Sequence, residues 1–172
     1  PAANDNFGCA VAAMGSDRVL IGAIGDGSPH IGAAYLFSTN GVLLTTFTNP
    51  TPAYGDHFGA SLVAVGSDRV LIGASGDHPV ASGDGAAYLF TTNGELLATF
   101  TNSTPDIGDY FGASVAAAGS DRVLIGARGA NHFGGGEAYL FALTVPTPET
   151  PSLAIWLTTT NSVVVSWPSP PT

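Results

Sequence analysis

Three loops of the sequence hold a histidine near groups able to bind or coordinate. They are Gly25-Asp26-Gly27-Ser28-Pro29-His30, the run from Gly76-Asp77-His78 to Asp84, and Gly129-Ala130-Asn131-His132. Imidazoles beside carboxylates are the donors that hold a transition metal or orient a polar ligand. Loops carry such chemistry more often than scaffold does. The spacing from histidine to carboxylate changes from loop to loop, whereas a metal motif would keep it. His30, His78, His132, Asp26 and Asp77 are therefore candidates for ligand recognition, against solvated loop residues, and no metal site is expected. A second set is the recurring pair Asp17-Arg18, Asp68-Arg69 and Asp121-Arg122. Carboxylates or guanidinium groups in a row on one face could bind a sugar or an acidic group. The structural alternative is stronger: Asp makes the turn through its own side chain, and Arg bridges neighbouring modules by a bidentate contact to a carboxylate. Three of the four Arg in the chain stand in this pair, which favours the bridge. A third set, Asp5, Asp56 and Asp109, precedes each Phe-Gly by two positions and is suited to capping backbone N–H groups. Catalysis finds no support. There is no nucleophile elbow, no HExxH and no phosphate-cradling glycine loop opening a helix.

These residues recur because the chain repeats. The nine residues GSDRVLIGA begin unchanged at residues 15, 66 and 119. Phe7-Gly8, Phe58-Gly59 and Phe111-Gly112 keep step with them, as does AYLF beginning at 34, 87 and 138. The segment TNGxLLxTFTN starts at 39 and 92 and has no third copy. A period of about 50 residues points to a solenoid, propeller or array. Inside each unit the apolar period is two, which predicts strands. In the first unit these are about Cys9–Met14, Arg18–Ala23, Ala33–Ser38 and Val42–Thr48. Asn40-Gly41 and Asn93-Gly94 are signals for two-residue hairpin turns. Cys9 aligns with Ala60 and Ala113, which predicts a small buried apolar residue.

The order Phe-Gly, small-residue strand, strand ending Ile-Gly-Ala, then Gly-x-Ala-Tyr-Leu-Phe resembles the FG-GAP repeat of integrin-α-type propellers. The matching pairs are Phe7-Gly8 with Gly22-Ala23, Phe58-Gly59 with Gly73-Ala74, and Phe111-Gly112 with Gly126-Ala127. The resemblance implies an all-β fold of three four-stranded antiparallel propeller-type blades, at about 4–54, 55–107 and 108–143. It departs from the family where Ile24, Ser75 and Arg128 replace a proline. The family's calcium loop, an Asp-x-Asp-x-Asp-Gly type run, gives way to Gly-Ser-Asp-Arg. Calcium needs several oxygens converging within about 2.6 Å, so no cofactor is expected.

A Pro/Thr linker is expected at 144–151, then a β-hairpin at 152–172 holding Trp156 and Trp167. It resembles the opening of a fibronectin-III or immunoglobulin-like module of secreted bacterial proteins. The sequence reads as a piece of a longer product. Three blades do not close a ring, since propellers use typically four to eight, and exposed edges invite pairing. Either further blades or other copies of the chain would complete the structure. Four basic residues and a formal net charge of −9 exclude nucleic acid and an anionic membrane as partners. No apolar run reaches the roughly 18 residues of a spanning helix. Asn102-Ser103-Thr104 is an N-glycosylation acceptor, which fits an extracellular or cell-surface setting. The expected function is a non-catalytic structural or adhesive module whose copies associate into a filament or ring. The alternative is a propeller whose loops recognise a glycan or a cell-surface protein.

Overall fold

The computed structural model describes residues 3–27, 30–77, 84–130 and 135–143, with the backbone of 154–157 and 163–166. It divides into two compact units, Pro1–Ala142 and Leu143–Thr172. All regular structure among the described residues is β. None of it is a helix able to cross a membrane.

In the larger unit each repeat becomes an antiparallel meander. The first blade is β1 (Phe7–Met14), β2 (Arg18–Ala23), β3 (Ala33–Ser38) and β4 (Leu43–Thr48), paired in chain order. The second is β5 (Phe58–Val65), β6 (Arg69–Ala74), β7 (Ala86–Thr91) and β8 (Leu96–Thr101). Among the described residues the third has three strands, against the four expected: β9 (Phe111–Ala117), β10 (Arg122–Ala127) and β11 (Glu137–Ala142). Its missing partner corresponds to TNGxLLxTFTN, the segment that forms β4 and β8 and has no third copy. In the smaller unit β12 (Ala154–Leu157) pairs antiparallel with β13 (Val163–Ser166). The linker expected at 144–151, the turn between these strands and Trp167 lie outside the described residues.

The Asn-Gly hairpins form, with one residue more than expected. Ser38 N–H donates to the Val42 carbonyl at 2.8 Å, which leaves Thr39-Asn40-Gly41 as a three-residue loop. Only the glycine takes positive φ, 80° at Gly41 and 91° at Gly94. That is the longer hairpin with a left-handed residue at its end.

Strand alternation gives every blade two different faces. Val19 pairs with Phe37 and Ile21 with Tyr35, so these four share one face. Phe7 joins them, its ring 5.7 Å from Tyr35 and 6.2 Å from Phe37. The same triad recurs as Phe58, Tyr88 and Phe90, and as Phe111, Tyr139 and Phe141. The opposite face carries Leu20 paired with Leu36, with Met14, Ala34 and Phe47 beside them. The leucine face of blade one packs on the aromatic face of blade two. Their junction is one buried cluster running from Leu20, Leu36 and Phe47 to Phe58, Ile72, Tyr88 and Phe90. Phe47 meets Phe90 there at 5.5 Å, and Phe100 meets Phe141 at 4.8 Å at the next junction. Ring pairs of this kind contribute about 0.5–1.5 kcal/mol beyond their burial.

Close approach of backbone sets the blade spacing. A Cβ on Gly22 would overlap the carbonyl oxygen of Gly59, and one on Gly73 would overlap that of Gly112. Gly73→Ala should therefore destabilise the chain by about 1–3 kcal/mol through overpacking. Gly135→Ala, where nothing lies within 4 Å, should change stability by less than about 0.5 kcal/mol. Urea unfolding of the two variants beside the parent checks this, and equal midpoints would refute it.

Candidate functional site

The polar residues of the repeat converge where the chain passes from one blade to the next. Asn49 follows β4 and turns its amide into blade two. Its Nδ2 donates to Oδ2 of Asp56 at 2.7 Å and lies 3.4 Å from Oδ2 of Asp77. Its Oδ1 accepts from the Thr51 N–H at 3.0 Å. Asp56 also accepts from the Ala53 N–H, the capping role expected of it. The Tyr88 hydroxyl donates to Asp77 and shares a 2.9 Å hydrogen bond with the Thr51 hydroxyl. Asp56, Asp77, Asp84 and Asn49 are all buried. Buried polar groups are tolerable when hydrogen-bonded to one another.

Blade three repeats the arrangement with one exchange. Asn102 Nδ2 donates to Asp109 at 2.7 Å, and Asp109 accepts from the Asp106 N–H at 2.9 Å. The position of Asp77 is taken by Ala130, so Tyr139 donates instead to Asn102 Oδ1 at 2.9 Å and to Glu137. Blade one has the Tyr35 hydroxyl donating to Asp26, with Asp5 buried nearby in the repeat. Burial, then the hydrogen bond to Asp77, pushes the Tyr88 phenol above its ordinary range. Burial, then the bond to Glu137, pushes Tyr139 up to about 12.

The sequence candidates fall into place unevenly. Asp77 is buried and braces Tyr88 and Asn49, so its carboxylate is not on the surface. Asp26 is half-buried and lines a cleft of about 310 Å³ with Tyr35, Thr46, Thr48 and Asn49. His30 is exposed, its Nδ1 3.3 Å from the Gly25 carbonyl oxygen, and has φ of 61°. His78 and His132 lie outside the described residues. No group of three or more His, Cys, Asp or Glu is placed to hold a metal ion among the described residues.

The Arg bridge exists, with a different acceptor. Arg18 donates to the Ser67 carbonyl at 2.9 Å and Arg69 to the Ser120 carbonyl at 2.6 Å, each across a blade junction. Among the described residues the carboxylate each meets is its own neighbour's, Asp17 at 3.5 Å and Asp68 at 3.6 Å. Arg122 meets Asp121 at 3.8 Å. Cys9 is exposed rather than buried, although its Sγ lies 3.6 Å from the Gly59 carbonyl oxygen of blade two.

Asn102 is likewise not the surface acceptor expected. It is 5% exposed, and the nitrogen that would carry a glycan donates to Asp109. The repeat held the signal. Asn102-Ser103-Thr104 aligns with Asn49-Pro50-Thr51, which proline disqualifies as an acceptor, so the shared Asn had to serve something else. Asn49, Thr51 and the blade tyrosines were not foreseen as one network. Their spacing in sequence gives no hint that one blade's exit closes on the next.

A sequence model of the FG-GAP repeat matches residues 1–37, 46–90 and 96–141. The chain belongs to the FG-GAP repeat family. No curated protein sequence matches it. The second and third FG-GAP matches each join the end of one blade to the three strands of the next, from β4 into β7 and from β8 into β11. The Asn–Asp–Tyr network thus lies inside single FG-GAP units although it spans two blades.

The raised tyrosine pKa values carry a sign. The folded chain keeps a phenol proton that the unfolded chain loses near its ordinary value of 10.0. Stability is then full below pH 10 and falls as pH rises beyond it, through about 12 for Tyr139 and further for Tyr88. Tyr88→Phe should remove about half of that alkaline slope between pH 10 and 12. Urea midpoints at stepped pH read it, and a slope identical to the parent's would sink the argument.

Proposed function

We propose that this FG-GAP chain is a non-catalytic, extracellular structural or adhesive module that associates with copies of itself. One observation supports it most: the described polar side chains of the repeat are engaged in joining blades. Asn49, Asp56, Asp77, Tyr88 and Thr51 form one such network, and Asn102, Asp109 and Tyr139 form another. Arg18 and Arg69 clamp the turns of neighbouring blades. That is the chemistry of a scaffold. The third blade, with three strands among the described residues, also leaves an edge for another chain to occupy.

A second reading rests on the cleft beside Asp26. Tyr35, Thr46 and Thr48 line it with hydroxyl groups, which suit a glycan. In that reading Asp26→Ala abolishes retention on a glycan array and leaves the mass of the particle unchanged.

Self-association is tested by light scattering and negative-stain microscopy of the chain over a concentration series. Mass should rise with concentration, with rings or filaments on the grid. A single-chain mass throughout would refute the proposal.

A further inference from the structure

The self-association reading can be carried to particular surfaces. Each internal junction seats a leucine face on an aromatic face. At the two ends of the stack the same positions are uncovered. On blade one, Phe7 is 38% exposed where Phe58 and Phe111 are 0%. Val11 is 70% exposed where its counterpart Leu62 is 8%. On blade three, Leu124 is 39% exposed where Leu20 and Leu71 are 0%. Leu140 is 58% exposed where Leu36 and Leu89 are 1% and 4%. A hollow of about 440 Å³ opens on blade one between Phe7, Val19, Ile21 and Phe37.

We propose that these two faces are the halves of one head-to-tail interface, in which blade three of one copy seats on blade one of the next. The occupant is a second copy because the ends carry more than apolar surface. They carry the polar and backbone counterparts of the internal junctions, in the same order. Arg18 and Arg69 reach the carbonyls of Ser67 and Ser120. Arg122, its side chain 56% exposed, is the next donor in that series, and the Ser16 carbonyl of the next copy is the corresponding acceptor. Phe58 N–H donates to the Ile31 carbonyl at 3.1 Å, and Phe111 N–H to the Asp84 carbonyl at 2.9 Å. The counterparts are Phe7 N–H and the Gly135 carbonyl. Gly22 and Gly73 lie under the carbonyls of Gly59 and Gly112. Gly126 has no such carbonyl over it, and Gly8 of the next copy supplies the matching one. One rigid placement, the step already taken from blade one to blade two, satisfies all of these at once.

The contact is heterologous, so it builds a closed ring or a filament according to the rotation. It is also smaller than the internal junctions. Blade three has no counterpart of Phe47 or Phe100 among the described residues, which leaves the hollow beside Phe37 only partly filled.

The test uses the full chain carrying Val11→Asp or Leu140→Asp. Both positions are on the surface of the single chain, so folding is retained, which circular dichroism and melting confirm. Should either Asp variant fail to fold, Val11→Ser and Leu140→Ser replace them. A carboxylate in the apolar junction should weaken association at least about a hundredfold, leaving each variant alone monomeric. Mixed in equal amounts, the two variants should form a dimer and nothing larger, because each keeps the face the other has lost. Native mass spectrometry reads the stoichiometry. Variants that assemble as the parent does, or a mixture that stays monomeric, overturn the head-to-tail assignment while the parent's own assembly still stands. A parent that is monomeric at every concentration overturns the self-association reading itself, and with it this interface.

Discussion

The closeness with which one blade's backbone lies against the next governs the rest of the larger unit. At Gly22 and Gly73 there is no room for a methyl group between a strand and its neighbour's carbonyl. Sheets that near can bury only a thin layer of side chains, and the layer found is of fixed composition. Two leucines and a phenylalanine come from one side, and a triad of rings with Val and Ile comes from the other. The innermost strands follow the same constraint, with Ala10, Ala12 and Ala64 packed at the margin of the core. Even the entry to each first strand answers to it. Asn6, His57 and Tyr110, with φ of 51°, 55° and 53°, bend the chain so that the Phe ring turns inward and the next glycine carbonyl turns to the neighbouring blade. Left-handed backbone is tolerable for Asn and His and strained for Tyr. Tyr110 adopts it with the other two, so the requirements of the Phe-Gly entry override local preference there.

Packing alone would let blades slide, since apolar contact is non-directional. The Asn–Asp–Tyr network supplies direction. An amide leaving one blade is held by a carboxylate opening the next, and a tyrosine from that blade's third strand closes the set. The third blade shows which part is essential. Where Ala130 replaces Asp77, the Tyr139 hydroxyl turns instead to Glu137 on its own strand, β11, and to Asn102. The amide-to-carboxylate bond, Asn102 to Asp109, is kept at the same 2.7 Å as Asn49 to Asp56. The fixed element is the hinge of the chain between blades, and the tyrosine's acceptor is adjustable around it.

How much of this the sequence discloses depends on whether a residue's role is settled inside its own repeat. Strand positions, meander order and the two hairpins are local consequences of period-two patterning and Asn-Gly, and they are legible at residue level. Roles that need a neighbour are not. Arg18 could be read as a bridge, but its acceptor is a backbone carbonyl, which leaves no mark in the sequence. Cys9 aligns with Ala60 and Ala113, yet it is exposed where they are half-buried. Asn102 reads as a glycan acceptor from its own triplet alone, whereas its copy at Asn49, followed by Pro50, does not. Repetition states that two positions are equivalent. It does not state which surface each will meet.

That distinction bears directly on how three such blades hold together and what they do beyond one chain. Every blade carries the strands of both faces of the junction, so under the proposed head-to-tail contact near-identical repeats would let blade three of one chain seat on blade one of the next. Inside the chain the connection between blades gives an effective concentration in the millimolar range. A junction of modest strength is enough there, which fits exposed seams and solvated Arg–Asp pairs that contribute little. In the proposed contact between chains that advantage is absent, and the junction would be smaller by one phenylalanine. Association then has to be gathered from concentration or from the closing of a ring, in which each copy is held by two junctions at once. Under the proposed interface, contacts that are weak, repeated and directional would assemble the chain where it is crowded and leave it a short stack where it is dilute.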